Sequence, residues 1–364
     1  MKKNKVQLLS LMGTIQKKSN DSYAERRKKM FQRIVVPLDG SHRAERAVPV
    51  AARIARSTGG SIVLMQAVFT STMGGTRMTQ HVIDTDIASA TDYLTSVSRS
   101  DELRGIETKT EVLPGEPALT IFAVARSHHA DLIVMCSHGE TGMKRWILGS
   151  VSQKVTRQSA LPVLVLREVT NFSFPEGSPL RVLVPLDGSL LAEAALAPAE
   201  ALSTAVSAPI PGALHLLHVL PKPLLEDEMQ NEMIVLARTQ AVSEANTYLK
   251  MVEQQLRMGE REHVKNLNVT ITSSVVTDMD IASTLIRVAE NGEAKGEGED
   301  FQGGDMIVMA THGRGGLGRW IMGSVTERVL GATKLPLLIV RPHKSEAQQE
   351  ERKETEMQSW VGLL

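Results

Sequence analysis

The chain repeats itself. Arg33–Ser41 reads RIVVPLDGS and Arg181–Ser189 reads RVLVPLDGS, identical at seven of nine positions and offset by 148 residues. Further on, His138–Val151 (HGETGMKRWILGSV) and His312–Val325 (HGRGGLGRWIMGSV) agree at nine of fourteen positions, now offset by 174. The runs LPVLVLR (Leu161–Arg167) and LPLLIVR (Leu335–Arg341) keep that second offset. A repeat this long is a whole domain, and a fold that accommodates one copy must accommodate both. The second copy is 26 residues larger in its middle.

Within each copy, strand and helix patterns alternate. Arg33–Leu38 is a short β-branched run of the kind buried on both faces of a sheet. Ala44, Ala47, Val48, Ala51 and Ile54 then recur at helical spacing. The pattern continues as strand 61–68, helix 84–98, strand 108–113, helix 118–127, strand 131–136, helix 150–159 and strand 163–167. Strands at 181–185, 213–220, 269–275, 305–310 and 337–341 are expected in the second copy. This order predicts two tandem α/β domains, each a doubly wound parallel sheet with right-handed crossovers. Pro49 and Pro198 fall inside the first helix of each copy and are expected to kink it. The enlargement divides between Pro223–His263 and Gly292–Gly304. The latter holds five glycines and four acids in thirteen residues and reads as a mobile loop without a chemical role.

The expected boundaries are a basic arm at 1–31, a first domain at 32–170, a linker at 171–179, a second domain at 180–343 and a polar tail at 344–364. The arm carries nine basic residues against two acids, although the whole chain balances 41 Lys and Arg against 41 Asp and Glu. Such an arm reads either as a solvated terminus or as a segment that touches a membrane surface or partner. Neutral balance and 3% aromatics speak against nucleic acid as the ligand. The single cysteine, Cys136, excludes an internal disulfide and a multi-cysteine zinc site. No run reaches the length of a membrane span, and the expected location is the cytoplasm.

Ligands in such sheets bind beyond the carboxyl ends of the strands. The first strand ends there in Pro37-Leu38-Asp39-Gly40-Ser41, and in the second copy in Pro185-Leu186-Asp187-Gly188-Ser189. Asp39 and Asp187 can either cap the following helix or accept hydrogen bonds from a ribose or base. The fourth strand leads into a glycine loop (Gly139 and Gly142; Gly313, Gly315, Gly316 and Gly318), then a helix opens at Gly149-Ser150-Val151 or Gly323-Ser324-Val325. Glycine backbone and a helix amino end suit a phosphate, and a turn with a serine cap is the alternative. The stretch from Gly313 to Gly318 matches GxGxxG, but it lies at the last crossover and lacks the downstream acid, so it is not a dinucleotide fingerprint. No GxxxxGK[ST] sequence occurs. His138 and His312 have no paired nucleophile in any recognisable motif and read as loop-positioning residues rather than catalytic bases.

These residues together resemble a tandem universal stress protein. The resemblance rests on VPLDGS, on DLIVMCSHG and DMIVMATHG, on the nine residues before Gly-Ser, and on the LPVLVLR-type last strand. It implies five parallel strands per domain in the order 3-2-1-4-5, with the last strands of the two domains able to pair as a dimer within one chain. Nucleotide-binding members carry G-x2-G-x9-G-[ST]. Here Gly139 and Gly313 are the second glycines, while Cys136 and Ala310 replace the first. By the same resemblance Pro37, Asp39, Val68 and Met135, with Pro185, Asp187, Val219 and Met309, would surround ribose and adenine. Gly139, Gly142, Gly149, Ser150 and Val151, with Gly313, Gly316, Gly323, Ser324 and Val325, would hold the phosphates of ATP bridged by Mg2+. The function implied is a nucleotide-dependent stress module that associates with a protein partner or further copies of itself, with at most slow hydrolysis. The alternative is a nucleotide-free interaction protein.

Overall fold

A computed structural model describes residues 30–69, 80–137, 148–167, 172–222, 232–263, 269–293, 301–312 and 322–342. Residues 1–29 of the basic arm, the tail and the glycine loops with Gly139, Gly142, Gly313 and Gly316 lie outside the described residues, whereas Phe31 is buried in the core.

The first repeat runs β1 (Arg33–Leu38), α1 (His42–Glu45), α2 (Ala47–Thr58), β2 (Ser61–Val68), α3 (Gln80–Ser98), β3 (Thr108–Pro114), α4 (Pro117–Ser127), β4 (Leu132–Cys136), α5 (Ser150–Gln158) and β5 (Val163–Leu166). The second runs β6 (Arg181–Pro185), α6 (Leu190–Glu193), α7 (Leu196–Ser207), β7 (Gly212–Pro221), α8 (Glu232–His263), β8 (Val269–Asp278), α9 (Ile281–Asn291), β9 (Met306–Ala310), α10 (Ser324–Ala332) and β10 (Leu337–Val340).

All ten strands join one sheet in the order β3-β2-β1-β4-β5-β10-β9-β6-β7-β8. Each half has the expected order, and within each half every pairing is parallel. The halves meet through β5 and β10, which pair antiparallel with Leu338 opposite Leu164. Strand alternation sends Ile34 and Val36 to one face and Val35 to the other. One face is covered by α1, α2, α3, α6, α7 and α8, and the other by α4, α5, α9 and α10; on each face a single apolar core crosses both repeats. No helix among the described residues is long and apolar enough to cross a membrane.

The expected kinks are breaks. Pro49 is the third residue of α2 and Pro198 the third of α7, so each proline occupies a first helical turn, where its missing N–H has no intrahelical partner to lose. Its ring excludes the preceding turn, and the helix divides at Arg46 in one repeat and at Ala194-Ala195 in the other. Between the repeats, Phe174 is buried and meets Phe172 edge-on at 5.1 Å, so residues 172–179 carry part of the core.

The two ends of the glycine-rich insertion are held to the body of the domain, while residues 294–300, on which its reading as a mobile loop rests, lie outside the described residues. Glu293 and Phe301 form an antiparallel bridge. Phe301 stacks on the buried His215 ring at 4.0 Å. His215 contacts the hydroxyls of Thr272 (2.9 Å) and Ser274 (3.0 Å), and Ser274 donates to the Glu293 carboxylate at 2.8 Å. Gly292 has φ +80 and its Cβ position lies 2.1 Å from the Phe301 carbonyl, so the turn into the bridge requires glycine there.

Candidate functional site

The carboxyl ends of β6, β7 and β9 and the amino end of α10 enclose a cleft of about 260 Å³. Its walls include Pro185, Asp187, Val219 and Met309, together with Gly323, Ser324 and Val325, all of them candidates from sequence. Ala192, Leu217, Ile281, Leu285, Ala310 and His312 also line it. The interior is therefore mostly apolar, with one carboxylate on one side and a helix amino end on another. That is the usual division of a pocket for a ligand with a flat body and a charged end.

Asp187 is not the helix cap. Ser189 caps α6, its hydroxyl accepting the Ala192 N–H at 3.1 Å. Asp187 Oδ1 instead accepts the Ser189 N–H (3.0 Å) and O–H (2.6 Å), and this fixes the carboxylate at the cleft wall. The first repeat reproduces the arrangement with Asp39 and Ser41. An aspartate two residues ahead of the cap is too early to reach the first-turn donors, while the serine is at the right distance.

The Gly-Ser turn also differs from a serine cap. Gly323 is the cap residue and Ser324 the first residue of α10, and no side chain caps the helix. Gly323 donates to the Thr311 carbonyl at 2.9 Å, and Thr326 Oγ1 donates to the Ala310 carbonyl at 3.0 Å, so the turn is tied to the end of β9. Among the described residues no side chain accepts from the first-turn N–H groups, which carry the positive end of the helix dipole. Gly149, Ser150 and Ser152 repeat this at the end of β4.

His312 sits at the cleft beside this turn, its Nδ1 2.9 Å from the Thr311 hydroxyl. Burial pushes its pKa below the ordinary histidine value, and the nearby Arg341 charge adds to the shift. The neutral ring is thus favoured. Among the described residues no group of three His, Cys, Asp or Glu could hold a metal ion.

The equivalent region of the first repeat gathers Pro37, Asp39, Met135, Gly149, Ser150 and Val151 at the ends of β1 and β4 and the start of α5. Two details depart from the second repeat. Cys136 stands where Ala310 lines the cleft, and its Sγ lies 3.8 Å from the Ala44 carbonyl, the counterpart of the cleft residue Ala192. Val68 is also displaced from the role expected of it. Pro37 pairs with Met65 and Pro185 with Leu217, so Ala67 is the counterpart of Val219 and Val68 falls on the alternate side of the strand.

Comparison with known proteins bears on both halves. The model of the universal stress protein family matches residues 30–167 and 180–341. The chain is 31% identical over 145 residues to the universal stress protein MJ0531 of Methanocaldococcus jannaschii, covering 38% of this chain and 84% of that protein. It is 27% identical over 241 residues to the universal stress protein Rv2005c of Mycobacterium tuberculosis, covering 65% of this chain and 70% of that one. Among solved structures, a universal stress protein from Archaeoglobus fulgidus superposes with a TM-score of 0.56 at 20% identity, over 87% of this chain and 99% of its own. That last likeness is one of fold.

Proposed function

Since the chain belongs to the universal stress protein family with the domain present twice, we propose that its second repeat is an adenine-nucleotide site whose occupancy governs association with a protein partner in a stress response. The observation that carries this is the cleft: an apolar slot ending on an uncapped helix amino terminus. The base would lie between Val219 and Met309, the ribose against Asp187, and the phosphates on the turn Gly323-Ser324-Val325. Gly313 and Gly316, which lie outside the described residues, are further phosphate contacts on this reading. Mg2+ would ride on the phosphate oxygens, with no protein side chain required to ligate it. The reading is one of binding rather than turnover.

The first repeat favours the second reading, a nucleotide-free interaction domain. Its Cys136 sulfur occupies space between the end of β4 and Ala44 that the second repeat leaves to the cleft. The chain would then hold one nucleotide.

Titration of the full chain with ATP and Mg2+ by calorimetry tests the proposal, with one site per chain expected. Mass spectrometry of the freshly purified protein gives an independent readout through co-purified nucleotide. No heat and no thermal shift at millimolar ATP would remove the nucleotide reading and leave the interaction protein.

A further inference from the structure

The two closing strands end in arginines that cross from one repeat to the other. Arg167, immediately after β5, is 3% exposed, and its Nη2 lies 3.5 Å from the carbonyl oxygen of Gly331 in the last turn of α10. Arg341, at the equivalent place after β10, donates from Nη2 to the carbonyl of Arg157 in the last turn of α5. Gly331 and Arg157 are themselves counterparts, 174 residues apart. The Arg157 side chain in turn pairs with Glu327 on α10. Each repeat thus places a cation at the carboxyl end of the helix whose amino end, in the other repeat, faces the ligand edge of the sheet.

The physical consequence is greatest for α10. It has nine residues, fewer than an isolated helix needs, and no side chain caps its amino end. Gly323 and Thr326 tie its start to β9, and Val329 and Leu330 are buried, so the direction of its axis also depends on what holds its carboxyl end. The Val329 carbonyl accepts the Thr333 N–H at 3.0 Å, but the carbonyls that follow it lie beyond the helical ladder and carry the negative end of the dipole. The Arg167 guanidinium, withdrawn from water, acts on that end alongside the Glu290 carboxylate.

We propose that Arg167 of the first repeat is a positioning residue for the cleft of the second. It holds α10 from its carboxyl end and so keeps Ser324 and Val325 aimed into the cleft. The effect on ligand affinity rests on the nucleotide reading of that cleft; the effect on the helix does not. The first repeat, whatever its own site holds, then sets the geometry of its neighbour's.

The test uses the full chain and three variants: Arg167→Met, Arg167→Lys and Arg53→Met. Arg53 donates to the Val206 carbonyl at 3.1 Å, a contact between repeats that is remote from α10, and serves as the control. Amide hydrogen exchange in the nucleotide-free protein is followed across α7 and α10, and ATP with Mg2+ is titrated separately. Arg167→Met is expected to raise exchange across α10 roughly threefold or more with α7 unchanged, and to weaken ATP by roughly threefold to tenfold. Arg167→Lys restores most of both, and Arg53→Met changes neither. Exchange in α10 equal to the wild type, or raised equally in α7, overturns the proposal. Should Arg167→Met prove insoluble, Arg167→Gln provides the same comparison of charge against none. Absence of ATP binding by the wild-type chain would end the nucleotide reading, and the exchange of α10 alone would then decide the positioning role.

Discussion

Leu164 and Leu338 are the same position of the two repeats, and they stand opposite one another across the antiparallel seam. The internal two-fold axis therefore passes between them. Both are fully buried, and both belong to the apolar core on the face of α2 and α7. Truncating either leaves a cavity shared by the two repeats. Leu164→Ala and Leu338→Ala should each lower stability by about 2–5 kcal/mol in urea denaturation. Each variant should still unfold in a single transition, because the seam joins the cores. Two resolved transitions in the wild-type chain would contradict that continuity.

The glycines at the starts of α5 and α10 separate the two sites. Gly323 has φ −60, a conformation open to valine, although the new Cβ would lie 3.3 Å from the Thr311 carbonyl. Gly323→Val should abolish nucleotide binding by covering the helix end, while Gly149→Val should leave the stoichiometry at one. Calorimetry on both variants checks this. Loss of binding in Gly149→Val alone would assign the ligand to the first repeat.

His312 makes the second repeat sensitive to acid. Burial lowers its folded pKa, so the unfolded chain takes up the proton first, near pH 6.5. Its contribution is complete above that pH and is lost as pH falls through the lowered folded value. Between pH 7.5 and 5.5 the wild type should therefore lose more stability than His312→Gln. Equal losses in urea midpoints measured across that interval would count against the buried neutral ring.

Phe301 is the far anchor of the insertion, stacked on His215. Phe301→Ala removes both the ring contact and apolar burial and should cost about 1–3 kcal/mol by denaturation. The Glu293–Ser274 hydrogen bond would remain as the near anchor. A change below a few tenths of a kcal/mol would mean that the stack carries no weight.

The strands were legible because each is a short apolar run between turn residues, and burial on both faces requires such runs. Arg33–Leu38 and Arg181–Pro185 have the bounds expected of them. The convergence of the candidate residues on one cleft was legible for a different reason: in a doubly wound sheet, the residues just after strands 1 and 4 come together wherever the chain places them. Contacts between distant side chains were not legible. The Tyr93 hydroxyl donates to Glu45 at 3.1 Å and the Tyr248 hydroxyl to Glu193 at 3.0 Å, a repeated pair that joins helices by way of tyrosines at unrelated offsets. Burial against Glu45 pushes the Tyr93 pKa well up, so the hydroxyl stays a donor. His215 and Phe301 likewise sit 86 residues apart and share no local pattern. The signals available were weak: two histidines, His215 and His218, in an otherwise apolar strand and a lone aromatic in a polar loop.

The seam between β5 and β10 has a consequence for how this molecule can change. Two separate chains that pair through a last strand dissociate on dilution, and every substitution in one appears in the other. Fusion removes both constraints. The partner is always present at a high effective concentration, so the pair forms whatever the amount of protein in the cell. Either half is then free to vary alone: a cysteine can stand at the end of β4 while alanine remains at the end of β9, and inheritance need not keep the two mouths of the sheet alike.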